Sequence, residues 1–279
     1  TLFANTENVA GSPKEEGGRV EVFDRGGARG LLFSSAENPD SPRHGTLALF
    51  TTHDDVLFRT HWYRGEWFDA LHDFWDNAVE GRLPQEREPA EREKGRDVGG
   101  IALRALVPAG GSVTLPLAIS WHTPNFEKYW GPEEGRTTWK NHYATLHPDA
   151  AAVAGYLAAN GERLERETRL FADALHSSTL PAAVLDAVSS QISILKTTTC
   201  VRLTDGTFYG WEGCHPGAGC CEGTCTHVWN YAQALPHLFP SLERSIRESD
   251  YGNNMLEDGR MLFRMPLPLG TRAEPNYHP

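Results

Sequence analysis

The apolar positions along the chain follow two regimes. In the first half the readable period is two: Val113, Leu115, Leu117, Ile119 and Trp121 alternate with Thr114, Pro116, Ala118 and Ser120. That alternation predicts a half-buried strand, and Pro116, which has no N–H to give to a ladder, places it at an edge or a bulge. Residues 101–107 read as its partner, with Pro108-Ala109-Gly110-Gly111 as the hairpin turn. Leu47-Ala48-Leu49-Phe50 and Val56-Leu57-Phe58 predict a second hairpin turning at His53-Asp54-Asp55. Between the two pairs, Trp67, Leu71, Phe74, Trp75 and Ala78 recur at helical spacing until Gly81 closes the run. Residues 84–100 are charged and carry Pro and Gly, which predicts a solvated loop.

From about Asp149 the period changes to that of a helix. Residues 152–174 are rich in Ala, Leu, Glu and Arg and contain no Pro, a helix signal despite Gly155 and Gly161. Leu180-Pro181 opens another helix, whose apolar face is Val184, Leu185, Val188, Ile192 and Leu195. A third run over 226–250 places Val228, Tyr231, Ala232, Leu235, Leu238 and Leu242 on one side, with Pro236 and Pro240 kinking or splitting it. Strands first and helices afterwards predict two separate domains, 1–148 and 149–279, in place of alternating βαβ units.

Composition narrows the function classes. A chain of 279 residues accommodates about two domains. No apolar run approaches the roughly 18 residues that a membrane-spanning helix needs. A net charge of −11 argues against a nucleic-acid partner, since no basic stripe is present to neutralise phosphates. Eight Trp, eight Tyr and twelve Phe suit a carbohydrate enzyme and a large core equally well. The chain opens on Thr1 with no charged-then-apolar leader and ends at His278-Pro279 without a helix or domain closure, so both termini are expected to lie inside a longer protein. The five cysteines, Cys200, Cys214, Cys220, Cys221 and Cys225, are odd in number and include a vicinal pair. That is a poor disulfide framework, and it favours a reducing compartment such as the cytoplasm.

The most unusual stretch is 205–231, between the second and third helical runs. Its many glycines let backbone approach a ligand closely. Two carboxylates, Glu212 and Glu222, are set in it beside Trp211, His215, His227, Trp229 and Asn230. A connection of this length and composition is more often a functional loop than a spacer. Cys214, His215, Cys220, Cys221, Cys225 and His227 supply more donors than a tetrahedral zinc site requires, yet their spacing matches neither paired Cys-x2-Cys arms nor a Cys2His2 finger. The same cysteines also read as small residues packing a tight loop, or as a reactive thiol or disulfide. Glu212 itself could serve only to cap a turn.

Trp211-Glu212-Gly213, then Cys225-Thr226-His227-Val228-Trp229-Asn230-Tyr231-Ala232, then Leu238-Phe239-Pro240-Ser241-Leu242-Glu243 resemble the nucleophile region of the bile-acid β-glucosidase/non-lysosomal glucosylceramidase family, glycoside hydrolase family 116. Leu180-Pro181, Asp205-Gly206-Thr207, the 67–83 segment, the 108–121 segment and Trp139-Lys140-Asn141-His142-Tyr143 fit the same order. The chain departs from the pattern at His227, where the family has Asp. It departs again at Pro266-Leu267-Pro268-Leu269-Gly270, where the family carries a Pro-His-Asp-x-Gly-like stretch, so the resemblance is to a divergent branch.

The resemblance implies a β-sandwich-like N-terminal domain followed by the first helices of an (α/α)6 barrel, truncated at both ends. It implies retaining hydrolysis of a β-glycoside with Glu212 as nucleophile. Glu222 is the alternative if the Glu-Gly pair aligns one gap later. Trp211, His227, Trp229 and Asn230 would hold the sugar. A second carboxyl group about 5–5.5 Å from the nucleophile must protonate the leaving oxygen; in the family it is an Asp that would fall after Pro279, so this chain alone would carry half of the pair. No cofactor is implied, and the partners are a carbohydrate or glycolipid substrate and the rest of the catalytic domain. Two alternatives stay open. One is an inverting or phosphorolytic sugar enzyme on the same plan. The other is a non-catalytic carbohydrate- or zinc-binding protein whose ligands would be Cys214, Cys220, Cys221, Cys225 and His227.

Overall fold

A computed structural model describes residues 1–9, 17–65, 67–127, 138–197, 200–210, 234–262 and 277–278. They fall into two compact units, Thr1–Phe126 with Tyr143–Glu165, and Glu127–His142 with Arg166–Pro279. The N-terminal region is rich in strands and the later region is helical, as the change of period predicts.

The first unit holds strands β1 (Leu2–Asn5), β2 (Gly18–Arg25), β3 (Ala28–Ser35), β4 (Thr46–Thr51), β5 (Val56–Arg59), β6 (Ala90–Arg92), β7 (Val98–Leu103) and β8 (Ala118–His122), and helix α1 (Asp69–Val79). They form a five-stranded sheet ordered β6-β2-β3-β4-β8 and a three-stranded sheet ordered β1-β7-β5, and every pairing in both is antiparallel. The β2–β3 hairpin turns on Gly26 and Gly27, both at positive φ (+58° and +86°) between the paired Arg25 and Ala28. A two-residue loop needs that left-handed geometry to follow the strand twist, and glycine adopts it without steric cost.

Inward positions of both sheets share one core. Val20, Leu31, Phe33, Leu47 and Leu49 come from the larger sheet and Val56, Phe58 and Ile101 from the smaller. Each large apolar side chain buried there contributes about 1.5–3 kcal/mol. The opposite face of the larger sheet presents Ala28, Leu32, Ala48 and Phe50 to Ala150, Ala151 and Ala154 at the start of α2 (Ala150–His176). Small residues allow this close seating: a Cβ at Gly155 would come within 3.0 Å of the Arg25 carbonyl oxygen. Buried hydrogen bonds fix the register of helix on sheet. The Ala150 N–H donates to Thr46 Oγ1 (2.9 Å), Ser120 Oγ donates to the Ala150 carbonyl (2.8 Å), and His122 Nε2 donates to the His147 carbonyl (2.8 Å).

Both predicted hairpins are corrected by the pairing. β4 lies between β3 and β8, whereas β5 pairs with β7 across Val56↔Leu103 to Arg59↔Gly100. The turn at 52–55 therefore carries the chain from one sheet to the other. Leu47, Leu49, Val56 and Phe58 all face the shared core, so their pattern cannot distinguish a hairpin from a sheet-to-sheet crossing. Likewise β7 and β8 belong to different sheets, and 104–117 form no strand. Val113, Leu115 and Leu117 alternate there but are exposed. The 84–100 loop is corrected as well, because β6 and the start of β7 lie in it. Ala90 reaches the core. Asp97, only 3% exposed, accepts two hydrogen bonds from Arg64 at 2.9 and 2.7 Å.

Helix α1 forms where its spacing predicts but turns mainly outward. Phe74 stacks on Trp62 with centroids 4.4 Å apart, and Asp73 pairs with the nearly buried Arg59. Trp67, Leu71, Trp75 and Val79 remain exposed.

In the second unit the predicted helix after Leu180 is shorter than its pattern. α3 (Ala182–Ser189) starts after Pro181 and gives way to a 3-10 turn at Ile192–Lys196. The third helical run divides at Pro240, where α5 (Pro240–Asn254) begins directly after α4 (Ala234–Leu238). Its 226–233 portion lies outside the described residues. The remaining short strands, of which β9 straddles the boundary at Phe126, are β9 (Asn125–Glu127), β10 (Thr138–Lys140), β11 (Cys200–Arg202), β12 (Phe208–Gly210), β13 (Met261–Leu262) and β14 (Tyr277–His278). Among the described residues no helix is long and apolar enough to cross a membrane.

Candidate active site

The residues that carry the predicted chemistry, Trp211, Glu212, Cys214, His215, Cys220, Cys221, Glu222, Cys225, His227, Trp229 and Asn230, lie outside the described residues, as does 266–270. What the structure describes is the frame on either side of them.

On the upstream side, β11 and β12 pair antiparallel across Cys200↔Gly210 to Arg202↔Phe208. Their turn is closed by Gly206 N–H to the Leu203 carbonyl (2.9 Å), by Leu203 N–H to the Thr207 carbonyl (2.9 Å) and by Thr207 N–H to Asp205 Oδ1 (2.9 Å). Asp205-Gly206-Thr207 is thus a hairpin turn. Phe208–Gly210, directly before the candidate stretch, is strand β12.

On the downstream side, α4 and α5 contribute Leu235 and Ile246, which are fully buried with Phe208 of β12 in one cluster. Leu195, Cys200, Phe239 and Leu242 pack against it. The last described strand before the candidate stretch and the first described helix after it therefore share a core. Gly210 and Ala234 are held as the two ends of an anchored connection.

Two buried polar groups sit in this frame. Tyr209 is completely buried, and among the described residues its hydroxyl has no hydrogen-bond partner. Burial pushes its phenol well above the usual tyrosine range, and the nearby Asp205 charge adds to the effect. Asp250 on α5 is 2% exposed and accepts a hydrogen bond from Asn254 Nδ2 at 2.7 Å. Burial raises its carboxyl pKa, while the Asn254 bond and the Arg247 charge offset part of the rise. Arg247 itself pairs with Glu243 at 2.6 Å, the i,i+4 contact its spacing predicts. Asp250 did not stand out in the sequence. The one signal for Asp250 was its position four residues before Asn254 on a helix face that also carries Ile246.

The aromatic segment after β8 is described only in part. Trp121 is exposed on β8 and Trp139 is buried, while Tyr129 and Trp130 lie outside the described residues. His122, which no sequence pattern marked, is buried on β8. Loss of solvation lowers its pKa below the ordinary histidine value against the raising effect of its hydrogen bond to His147. Its ring stands edge-on to Tyr143, centroids 5.3 Å apart, and the Tyr143 hydroxyl donates to the Thr123 carbonyl. His147 is half-buried with its ring 5.3 Å from Tyr156. These contacts are structural. Among the described residues no group of three or more His, Cys, Asp or Glu side chains could hold a metal ion.

A family model described as beta-glucosidase 2, glycosyl-hydrolase family 116 N-term matches residues 1–164. No curated protein matches the chain.

Proposed function

Because the chain belongs to glycosyl-hydrolase family 116 through its N-terminal domain, we propose that it takes part in retaining hydrolysis of a β-glycoside, with Glu212 as nucleophile. The family membership makes it a glycosidase with a carbohydrate substrate. Its mechanism and site are our reading of the residues that follow the matched segment. The observation that carries it is the frame around 211–233, whose two ends, Phe208 and Leu235, are packed in one core. Such anchoring suits a stretch that must hold a carboxylate against an anomeric carbon.

In this reading Glu212 attacks the anomeric carbon and forms a glycosyl-enzyme ester, which water then cleaves. Gly213 leaves the approach open, while Trp211, His227, Trp229 and Asn230 hold the ring and its hydroxyls. The partner carboxyl group, an Asp later in the family pattern, protonates the leaving oxygen and afterwards activates the water. We place the domain boundary near residue 148, the later helices in the opening of an (α/α)6 barrel, and the protein in a reducing compartment such as the cytoplasm. The substrate class is a β-glucoside, either a carbohydrate or a glycolipid. In a chain carrying both carboxyl groups, Glu212→Gln loses at least about three orders of magnitude in kcat, since the amide cannot form the ester. Azide restores turnover to Glu212→Gly and yields the glycosyl azide of inverted configuration. Glu222→Gln stays near wild type. The reverse pattern would assign the nucleophile to Glu222, and full activity in both variants would refute the mechanism.

A further inference from the structure

The first unit has an opening in the side of its sandwich that the catalytic reading does not use. β5 is the edge of the smaller sheet, and β6 covers only Gly18–Val20 of β2, so beyond Val20 that edge of β2 is uncovered. Between these two edges lies a cavity of about 240 Å3, lined by Val22, Asp24, Arg29, Asp54, Val56 and Arg87 among others. That volume is below the roughly 300–1,000 Å3 of pockets for drug-sized ligands, which limits the occupant to one small ring.

The rim has a particular polar layout. Arg29 bridges two carboxylates, Nε donating to Asp24 Oδ2 (3.1 Å) and Nη1 to Asp54 Oδ1 (2.7 Å). One guanidinium thus fixes the direction of both acids, and their other oxygens have no partner among the described residues. The Arg87 guanidinium lies over the Phe58 ring, 4.9 Å from its centroid, and among the described residues it pairs with no carboxylate. The cavity mouth is therefore lined by two solvent-exposed carboxylates bridged by one guanidinium and by a second guanidinium, beside Val22 and Val56. The four charges sum to zero. An anion there would face two carboxylates, and a cation would face two guanidiniums. A neutral ring bearing hydroxyls, each both donor and acceptor, satisfies both sets while its C–H face covers the two valines.

We propose that this opening is a non-catalytic binding site for a single neutral sugar ring, separate from the 211–233 stretch. The proposal rests on the glycosidase reading for its choice of ligand class, and its test is separable from that reading. Saturation-transfer NMR with methyl β-D-glucopyranoside is run on the wild-type chain, on Arg87→Ala and Asp54→Asn, and on Glu212→Gln. Sorbitol serves as an open-chain control. Both rim side chains are exposed, so the variants should fold, and matched thermal transitions check that they do. Saturable binding is expected in wild type and Glu212→Gln, at least tenfold weaker binding in each rim variant, and weaker binding of sorbitol than of the glucoside. Absent binding, rim variants equal to wild type, sorbitol equal to the glucoside, or loss in Glu212→Gln alone would each overturn it. If a mechanism-based inhibitor fails to label Glu212 while rim-dependent binding persists, the catalytic reading falls and this site stands.

Discussion

At His122 and Asp250 burial is the largest influence on how the side chain titrates, acting against hydrogen bonds and charges nearby. The His122 pKa is lowered by burial, so at acid pH the unfolded chain takes up a proton that the folded chain resists. The contribution of His122 to stability is therefore complete above its ordinary pKa near 6.5 and is lost as pH falls below it. Urea unfolding midpoints should drop between pH 7.5 and 5.5, and His122→Gln should flatten that part of the profile. The limiting slope for one such group is about 1.4 kcal/mol per pH unit. Asp250 works in the opposite sense. Its folded carboxyl holds a proton to higher pH than the unfolded one, so ionisation at neutral pH costs stability. Asp250→Asn keeps an oxygen to accept from Asn254 and removes that cost. Differential scanning at pH 7.5 should show a higher Tm, by about 2–4 °C for each kcal/mol released in a chain of this size. An unchanged or lower Tm would mean that the charge is stabilised by something beyond Asn254 and Arg247.

The elements were legible in the sequence where one period dominated. α2, the split at Pro240 and the β4, β5 and β7 segments follow their patterns to within a few residues, whereas β8 begins only at Ala118 and leaves 113–117 outside the sheet. Partnership was not legible. Strands on two facing sheets bury the same kind of residue toward the same core, and alternation alone cannot say which sheet a strand joins. The β2–β3 hairpin went unread although Gly26-Gly27 lies between Val20-Val22 and Leu31-Phe33, a two-residue loop between apolar runs. Replacing both glycines by alanine forces positive φ on residues with a Cβ, at about 1–2 kcal/mol each. The expected result is a lower unfolding midpoint, with native spectra retained. Phe33→Ala removes a fully buried ring from the shared core and should cost about 3–5 kcal/mol. A smaller loss in chemical denaturation would mean that the two sheets close over the cavity. At the candidate site the sequence predicted a helical run after the Gly-rich stretch, and its part from Ala234 onward is helical. It did not predict that Phe208 and Leu235 meet, because that contact depends on tertiary packing across 27 residues of chain.

At the scale of the whole molecule, a family 116 N-terminal match over 1–164 precedes a helical region built around the Phe208–Leu235–Ile246 cluster. The first part establishes the family. The second frames the stretch to which we assign the chemistry. A retaining enzyme passes through a covalent ester, so its nucleophile can be marked by a substrate that forms the ester quickly and loses it slowly. The decisive measurement is peptide mapping of a chain carrying both carboxyl groups after incubation with a 2-deoxy-2-fluoro-β-glucoside bearing a good leaving group. The account predicts one added fluoroglucosyl mass per chain, on the peptide containing Glu212. Labelling at Glu222, at another carboxylate, or at none in an enzyme that still turns over its substrate would contradict it.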